Sequence, residues 1–272
     1  MTLTSPERVL WPEAGFTKRD AADYYRAVWP VLAPHILDRP LTVYRFPEGV
    51  EGPRWYMTQC RGGFRTRRVP GRTGRPQDYC LVDSLDDLLR LVNMGGLELH
   101  PLFSRGADVD RATHVVFDLD PGPPADALAC VRVALAIRDE LPRALVKTSG
   151  SLGLHVFVPL EEPLPFEETK AIARDLARRL AVADEAVTDR TARTLRAGKV
   201  LVDWNQNDRT KSLVAPYSLR ALPWPTVSTP LEWEELERAQ NAADLVFLAD
   251  DVRDGLRRSR SPWEPRAGRR TA

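Results

Sequence analysis

The sequence predicts an α+β fold with mixed or antiparallel central sheets flanked by helices. Three observations carry that expectation: short apolar runs bounded by turn residues, such as THVVF and LHVFV; amphipathic stretches that interrupt them; and a tight SGSLG turn joining two strands close in sequence. Taken in order, Thr17 suits the N-cap of a helix through AADYYRAVWPVL, which Pro30 should end or kink because proline lacks the amide hydrogen the helix needs. LTVYRF and RWYM follow as strands. Ser84 opens a helix over DDLLRLVNM, with Asp87 three residues on as a weaker capping box and Gly95 and Gly96 closing it. LELH is a short strand ending on His100, THVVFDLD a buried strand, PGPP a turn, and Asp126 to Leu141 an amphipathic helix. LVKT and LHVFVPL are strands on either side of SGSLG. A helix from Phe166 to Leu180, strands at VLVDW and LVAPYSL, and a helix starting near Pro230 complete the pass.

The 272 residues suffice for one catalytic unit with two lobes, expected over 1–256, followed by a basic, frayed tail over 257–272. At 43% apolar and 28% charged residues the composition is that of a soluble globular protein, and no apolar run nears the ~20 residues a membrane helix needs. The opening TLTSPERVLW lacks the basic start, apolar stretch and cleavage site of a secretory signal, so a cytoplasmic chain with no membrane partner is expected. Cys60, Cys80 and Cys130 form neither a CxxC pair nor a zinc-spaced cluster and read as reduced thiols. With a net charge of +1, nucleic-acid contact has to come from local concentration of charge. Arg61, Arg65, Arg67, Arg68, Arg72 and Arg75 supply one, within fifteen residues that hold four glycines and no acid. That segment reads as a flexible basic loop, either a nucleic-acid contact or the solvated loop of an arginine-rich protein.

In VVFDLDPG, Asp118 and Asp120 stand two apart on a strand, so both carboxylates leave one face while Phe117 and Leu119 point into the core. Like charges this close call for a cation, and a hard divalent ion with oxygen ligands is the natural one. Solvated strand-end acids share this spacing, as do glycosyltransferases that hold the metal of a nucleotide sugar, so the pair alone does not name a reaction. In KTSGSLGLHVFVPL, Ser149, Gly150, Ser151 and Gly153 build a small-residue turn whose amides can approach an anion. His155 follows two residues later, placed either to add a donor to a phosphate oxygen or to sit in the core against a carbonyl. Asp203 ends the apolar strand of KVLVDWNQN, where a charge is unwelcome unless it joins a metal cluster. Three strand-end carboxylates beside a glycine turn make a site for in-line phosphoryl transfer with two metal ions.

The ordered blocks ERVLWPEAGFTK, DRPLTVYRFPEGVEG, LELHPLFSR, FDLDPG, KTSGSLGLHVFVPL, VDWNQN and APYSLRA resemble the polymerase domain of bacterial ligase D, a member of the archaeo-eukaryotic primase superfamily, from about Leu3 to Leu236. The resemblance implies a primase-polymerase fold in which Asp118, Asp120 and Asp203 are the catalytic and metal-binding acids, holding two Mn2+ or Mg2+ ions. It places His100, Ser149, Gly150, Ser151, Gly153, His155 and Arg220 around the incoming nucleoside triphosphate, with Gln206 a polar neighbour. Arg8 and Lys18 match two basic positions that grip a 5′-phosphate at a gap or break. Trp55 and Tyr56 match an aromatic pair near template bases, though both also read as strand core; Phe64 and Arg65 are grouped with them as DNA contacts.

The function so implied is a metal-dependent, DNA-directed nucleotidyltransferase adding one or a few nucleotides, ribonucleotides by preference, at gaps or broken ends in bacterial DNA repair such as non-homologous end joining. Its implied setting is the cytoplasmic nucleoid, beside a separate DNA ligase and an end-binding protein. The sequence also departs from the family. Leu152 replaces a lysine in the SGSKG turn, Thr58 replaces another after the aromatic pair, and the arginine-rich segment stands where an APxW block should follow. Lys147 and Lys199 lie near enough in sequence to be candidate replacements. These departures motivate a second reading, a catalytically weakened or inactive primase-like module that binds 5′-phosphorylated ends for a ligase. A glycosyltransferase is disfavoured by the VDWNQN and APYSLRA blocks.

Overall fold

A computed structural model describes residues 2–60, 62–71, 74–256 and 261–263. Strands β1 (Val9–Trp11) and β2 (Phe16–Thr17) pair and lead into helix α1 (Lys18–Ile36). Thr17 caps α1 as expected: its hydroxyl accepts from the Asp20 amide while the Asp20 carboxylate accepts from the Thr17 amide. Of the two outcomes expected at Pro30, an end or a kink, the helix does not end there, and Pro34 also lies inside it. Tyr25, Val28, Leu32 and Ile36 form a fully buried stripe at helical spacing, and its packing outweighs the hydrogen bonds the two prolines remove.

Five strands make the first large sheet: β3 (Leu41–Arg45), β4 (Trp55–Met57), β5 (Arg65–Pro70), β6 (Pro76–Leu81) and β7 (Gly96–Pro101), in the order β4, β3, β6, β5, with β7 also pairing β3. Helix α2 (Leu85–Asn93) begins at the Ser84 cap and ends before Gly95, whose φ of 81° suits a residue without a side chain. The stretch expected as a flexible basic loop is instead largely the β5–β6 hairpin. Its arginines find acids that lie beyond the arginine-rich window: Arg68 pairs with Asp78 and Arg65 with Asp83. Arg61 and Arg72 fall outside the described residues, as does the tail beyond Leu256 except 261–263.

Cys60 and Cys80 are not reduced thiols in this structure but a disulfide, with Cα atoms 4.9 Å apart. Nothing in their sequence spacing pairs them. The chain leaving β4 folds over β6, where the Cys60 amide donates to the Asp78 carbonyl at 2.7 Å and brings the two sulfurs together. Cys130 stays free and buried.

The second large sheet is mixed. It comprises β8 (Arg111–Pro121), β9 (Leu145–Thr148), β10 (Leu154–Pro165), β11 (Val187–Thr188), β12 (Val200–Asp203) and β13 (Pro230–Leu231), ordered β11, β12, β8, β10, β9, β13, antiparallel except for β11 with β12. Helices α3 (Ala127–Glu140) and α4 (Phe166–Ala183) cover one face, setting Cys130, Ala134, Ile137, Ala173 and Leu176 against Phe117, Leu119 and Val156. The other face buries Val116 and Phe157 against Phe103 and Leu213 and, two residues further along the same strands, carries the polar Asp118 and His155. Residues 213–219, expected as a strand, run irregularly because Pro216 has no amide to give and Tyr217 takes a φ of 64°. Their bonds tie the two sheets together instead: the Ala215 amide donates to Leu99 of β7, and the Tyr217 amide to Ser228 just before β13. The helix expected near Pro230 begins later, as α5 (Trp233–Arg238), and α6 (Ala249–Leu256) packs its Ala249 and Val252 into the core that α1 shares.

Candidate active site

A cleft of about 440 Å³ takes its walls from both sheets: Tyr44 and His100 from one, Asp118, Asp120 and His155 from the other, and Arg220 from the connecting segment. The alternation along β8 turns Phe117 and Leu119 into the helix-covered core and leaves both aspartates on the cleft side. Register does the rest. Asp203 of β12 lies opposite Asp118 on one side, His155 of β10 lies opposite it on the other, and Lys147 of β9 lies opposite His155. Directly paired residues share a face, so Asp203, Asp118, His155 and Lys147 form one row across four strands.

The row is joined by hydrogen bonds. His155 Nε2 lies 3.2 Å from Asp118 Oδ1, and the Gln206 amide donates to Asp118 Oδ2 and to Asp203 Oδ2, both at 3.1 Å. Burial pushes the Asp118 carboxyl up to about 6 against the pull of Lys147 and Gln206. Asp120 stands at the exposed mouth of the cleft, yet desolvation by its walls, then the charges of Asp118 and Asp203, raise it to about 7. Asp203 is raised as well, by burial and then by Asp118. Three carboxylates that resist ionisation in one another's company are a donor set a divalent cation would fit, oxygen-only and short of positive charge. Gln206 meanwhile supplies the single donor between two of them. Among the described residues no three acid, histidine or cysteine side chains converge on one point, so the acids are aligned rather than closed into a cage.

The turn after β9 is built as its residues predict. The Ser149 hydroxyl accepts from the amides of Ser151 and Gly153, both at 3.1 Å. Gly150 has a φ of 69°, and a Cβ there would stand 2.7 Å from Arg220 Cγ; at Gly153 it would stand 2.1 Å from the Leu119 carbonyl oxygen. Both glycines therefore let the turn close against β8 and the Arg220 segment. Arg220 donates to the Ser149 carbonyl and places Nε 3.2 Å from Glu98 Oε2. Glu98, which the sequence analysis passed over, also meets His100 Nε2 at 2.9 Å and accepts from the Ala221 amide at 2.9 Å. Burial would push its carboxyl up, but His100 and Arg220 together hold it down at about 2. Its position two residues before His100 on the same strand face was the available signal. Tyr44, also passed over, stacks on His100 with ring centroids 4.0 Å apart. Arg196, a third omission, lines the cleft and draws down Asp120 and Asp203 from the loop before β12; no sequence feature marks it out among its neighbours.

Other expected positions lie apart from the cleft. Lys18 is buried, its Nζ donating to the carbonyls of Thr4 and Asn93, and exposed Arg8 donates to that of Pro47. Arg8 lies close enough to help lower the Lys18 pKa, after burial, so the two cations form a local basic site. Trp55 and Tyr56 are 61% and 55% exposed, which removes the strand-core reading. Tyr56 meets Tyr44 edge-on, and Arg54 lies over both rings. Of the other two expected DNA contacts, Phe64 is buried under Arg90, and exposed Arg65 pairs with Asp83. Neither candidate replacement for the missing lysine reaches the cleft. Leu152 is 71% exposed there, Lys147 is fully buried, and Lys199 lines a separate groove with Arg174 and Trp204.

An acid row on a mixed sheet, a glycine turn beside it and a second sheet closing the cleft define a primase-polymerase fold. The chain belongs to the LigD primase-polymerase domain family, whose model matches residues 17–263. It is 38% identical over 253 residues to the multifunctional non-homologous end joining DNA repair protein LigD of Mycobacterium tuberculosis, covering 87% of this chain and 33% of that protein. The LigD proteins of Pseudomonas aeruginosa and Bacillus subtilis are 29% and 27% identical, covering 98% and 97% of this chain. The chain thus spans about a third of the length of the first two of these relatives. It superposes on the polymerase domain of M. tuberculosis ligase D in complex with DNA with a TM-score of 0.89 and 36% identity, over 95% of each chain.

Proposed function

We propose that the chain is a metal-dependent, DNA-directed nucleotidyltransferase that adds one or a few nucleotides, ribonucleotides by preference, at gaps or broken ends in bacterial DNA repair such as non-homologous end joining. The observation that carries this reading is the registered row of Asp203, Asp118 and His155, with Arg220 and the 149–153 turn beside it. Asp118, Asp120 and Asp203 would hold two manganese or magnesium ions, which when bound neutralise charge on the transferred phosphoryl group and acidify the attacking hydroxyl. Arg220 offers a guanidinium already oriented by Glu98, so little freedom is lost when it meets phosphate oxygens. His155 and the turn line the same wall. Arg8 and Lys18 are the site for a downstream 5′-phosphate, and exposed Trp55 and Tyr56 are the surface on which template bases stack. The partners are DNA with gaps, breaks or 5′-phosphorylated ends, nucleoside triphosphates, a DNA ligase activity and an end-binding protein, with the nucleoid as the working place. No described helix is long and apolar enough to cross a membrane.

Exposed Leu152 favours a second reading, an end-binding module with little or no catalysis, because an apolar side chain stands where the family's turn carries a lysine. Primer extension on a gapped duplex, with and without a downstream 5′-phosphate and with ribo- or deoxynucleotides in manganese, separates the two. Phosphate-stimulated addition of ribonucleotides is the expected result; phosphate-dependent binding without any extension would leave only the module.

A further inference from the structure

Lys147 is fully buried and, among the described residues, makes no ion pair with a carboxylate. A lysine in such a place is costly to keep, and its Nζ has two partners: His155 Nδ1 at 2.7 Å and Ser228 Oγ at 2.6 Å. Ser228 gives its own hydroxyl proton to the Thr148 carbonyl at 2.7 Å, so toward Lys147 it is an acceptor. Nζ therefore donates to Ser228, and a hydrogen left to it is within reach of the imidazole Nδ1. The far side of the ring gives the same answer. His155 Nε2 lies 3.2 Å from Asp118 Oδ1, and a ring that carried its proton on Nδ1 would turn a bare lone pair on that carboxylate.

Resting on the polymerase reading, we infer that Lys147 is a positioning residue: it holds His155 in the Nε2–H tautomer, so that the imidazole presents a donor to the cleft, to Asp118 and to a triphosphate oxygen of the incoming nucleotide. Lys147 thus serves the anion site without touching the anion. Its amine is kept one side chain away from the acids, and the directional part of its influence arrives through the ring. Register is what allows this, because Lys147, His155 and Asp118 are successive members of one cross-strand row.

The test is the proton position on His155, read in the metal-free protein by two-bond 1H–15N correlation spectra. Only four histidines contribute, and His155→Gln assigns the signal. The unmodified protein should show the Nε2–H pattern; a ring protonated at Nδ1 alone would overturn the inference whatever any variant does. In Lys147→Met the ring should become a tautomer mixture. The nucleotide KM should rise about tenfold, the scale of one charge-assisted hydrogen bond, while affinity for 5′-phosphorylated DNA stays unchanged. An unaltered tautomer with an unaltered KM in Lys147→Met would equally overturn it. Should the unmodified protein extend no primer while the tautomer still follows Lys147, the polymerase reading fails and the positioning role stands.

Discussion

The cleft side of the six-stranded sheet and the β5–β6 hairpin of the five-stranded sheet both carry charge in rows, and they treat it in opposite ways. On the hairpin, Arg65 and Arg68 are exposed and each meets a carboxylate of Asp83 or Asp78, so charge is neutralised locally and water does much of the work. Across β12, β8, β10 and β9, like charges are gathered instead. Two of the acids face each other across adjacent strands, the lysine at the far end has no carboxylate, and uncharged Gln206 and His155 are the groups in between. Such a row is destabilising when nothing fills it, and a protein keeps that arrangement where a ligand completes it. The difference teaches where function sits: in the charges left without local neutralisation, not in the densest run of charge along the sequence.

The largest expected effect comes from Asp118→Asn, which keeps the shape and deletes the central charge of the row. Extension should fall at least about a hundredfold, with DNA-end binding retained, while the metal-free protein melts at a higher temperature because a buried charge has gone. A lower melting temperature would show that the row is a structural network and would break the contrast with the hairpin. A medium effect is expected from pH. Asp118 at about 6 and Asp120 at about 7 bind protons in the folded state that the unfolded chain, with carboxylates near 4, has already released. Native protein binds the more protons in that window, so metal-free stability should fall as pH rises from about 4 to about 7. Thermal melting with a chelator and with manganese checks this: the ion should stabilise more above that window than within it. Equal stabilisation at every pH would detach the raised carboxylates from cation binding. The smallest effect is expected from Arg68→Ala, an exposed partner on the hairpin. Melting should not change measurably, whereas the dependence of DNA affinity on salt should lose about one unit of slope if the hairpin meets a phosphate. A clear drop in melting temperature would mean the hairpin is held as tightly as the cleft.

Much of this was legible in the residues. The period-two pattern of VVFDLD placed both aspartates on one face, the Thr17 and Ser84 caps set two helix starts, and the small residues of SGSLG announced a turn that only glycine allows to close. Readings left open or mistaken came where a residue's fate depended on distant partners. Pro30 was outweighed by a buried stripe, the arginine-rich loop became a hairpin once Asp78 and Asp83 lay alongside, and the chain crossing β6 joined Cys60 to Cys80. Local sequence determined which faces are apolar, where the chain turns and which acids end strands, because those follow from backbone geometry within a few residues. Only the tertiary structure decided that Asp203, Asp118, His155 and Lys147 stand in one row and that Glu98 aims Arg220. Cross-strand register is a relation between segments tens of residues apart, and no local propensity encodes it.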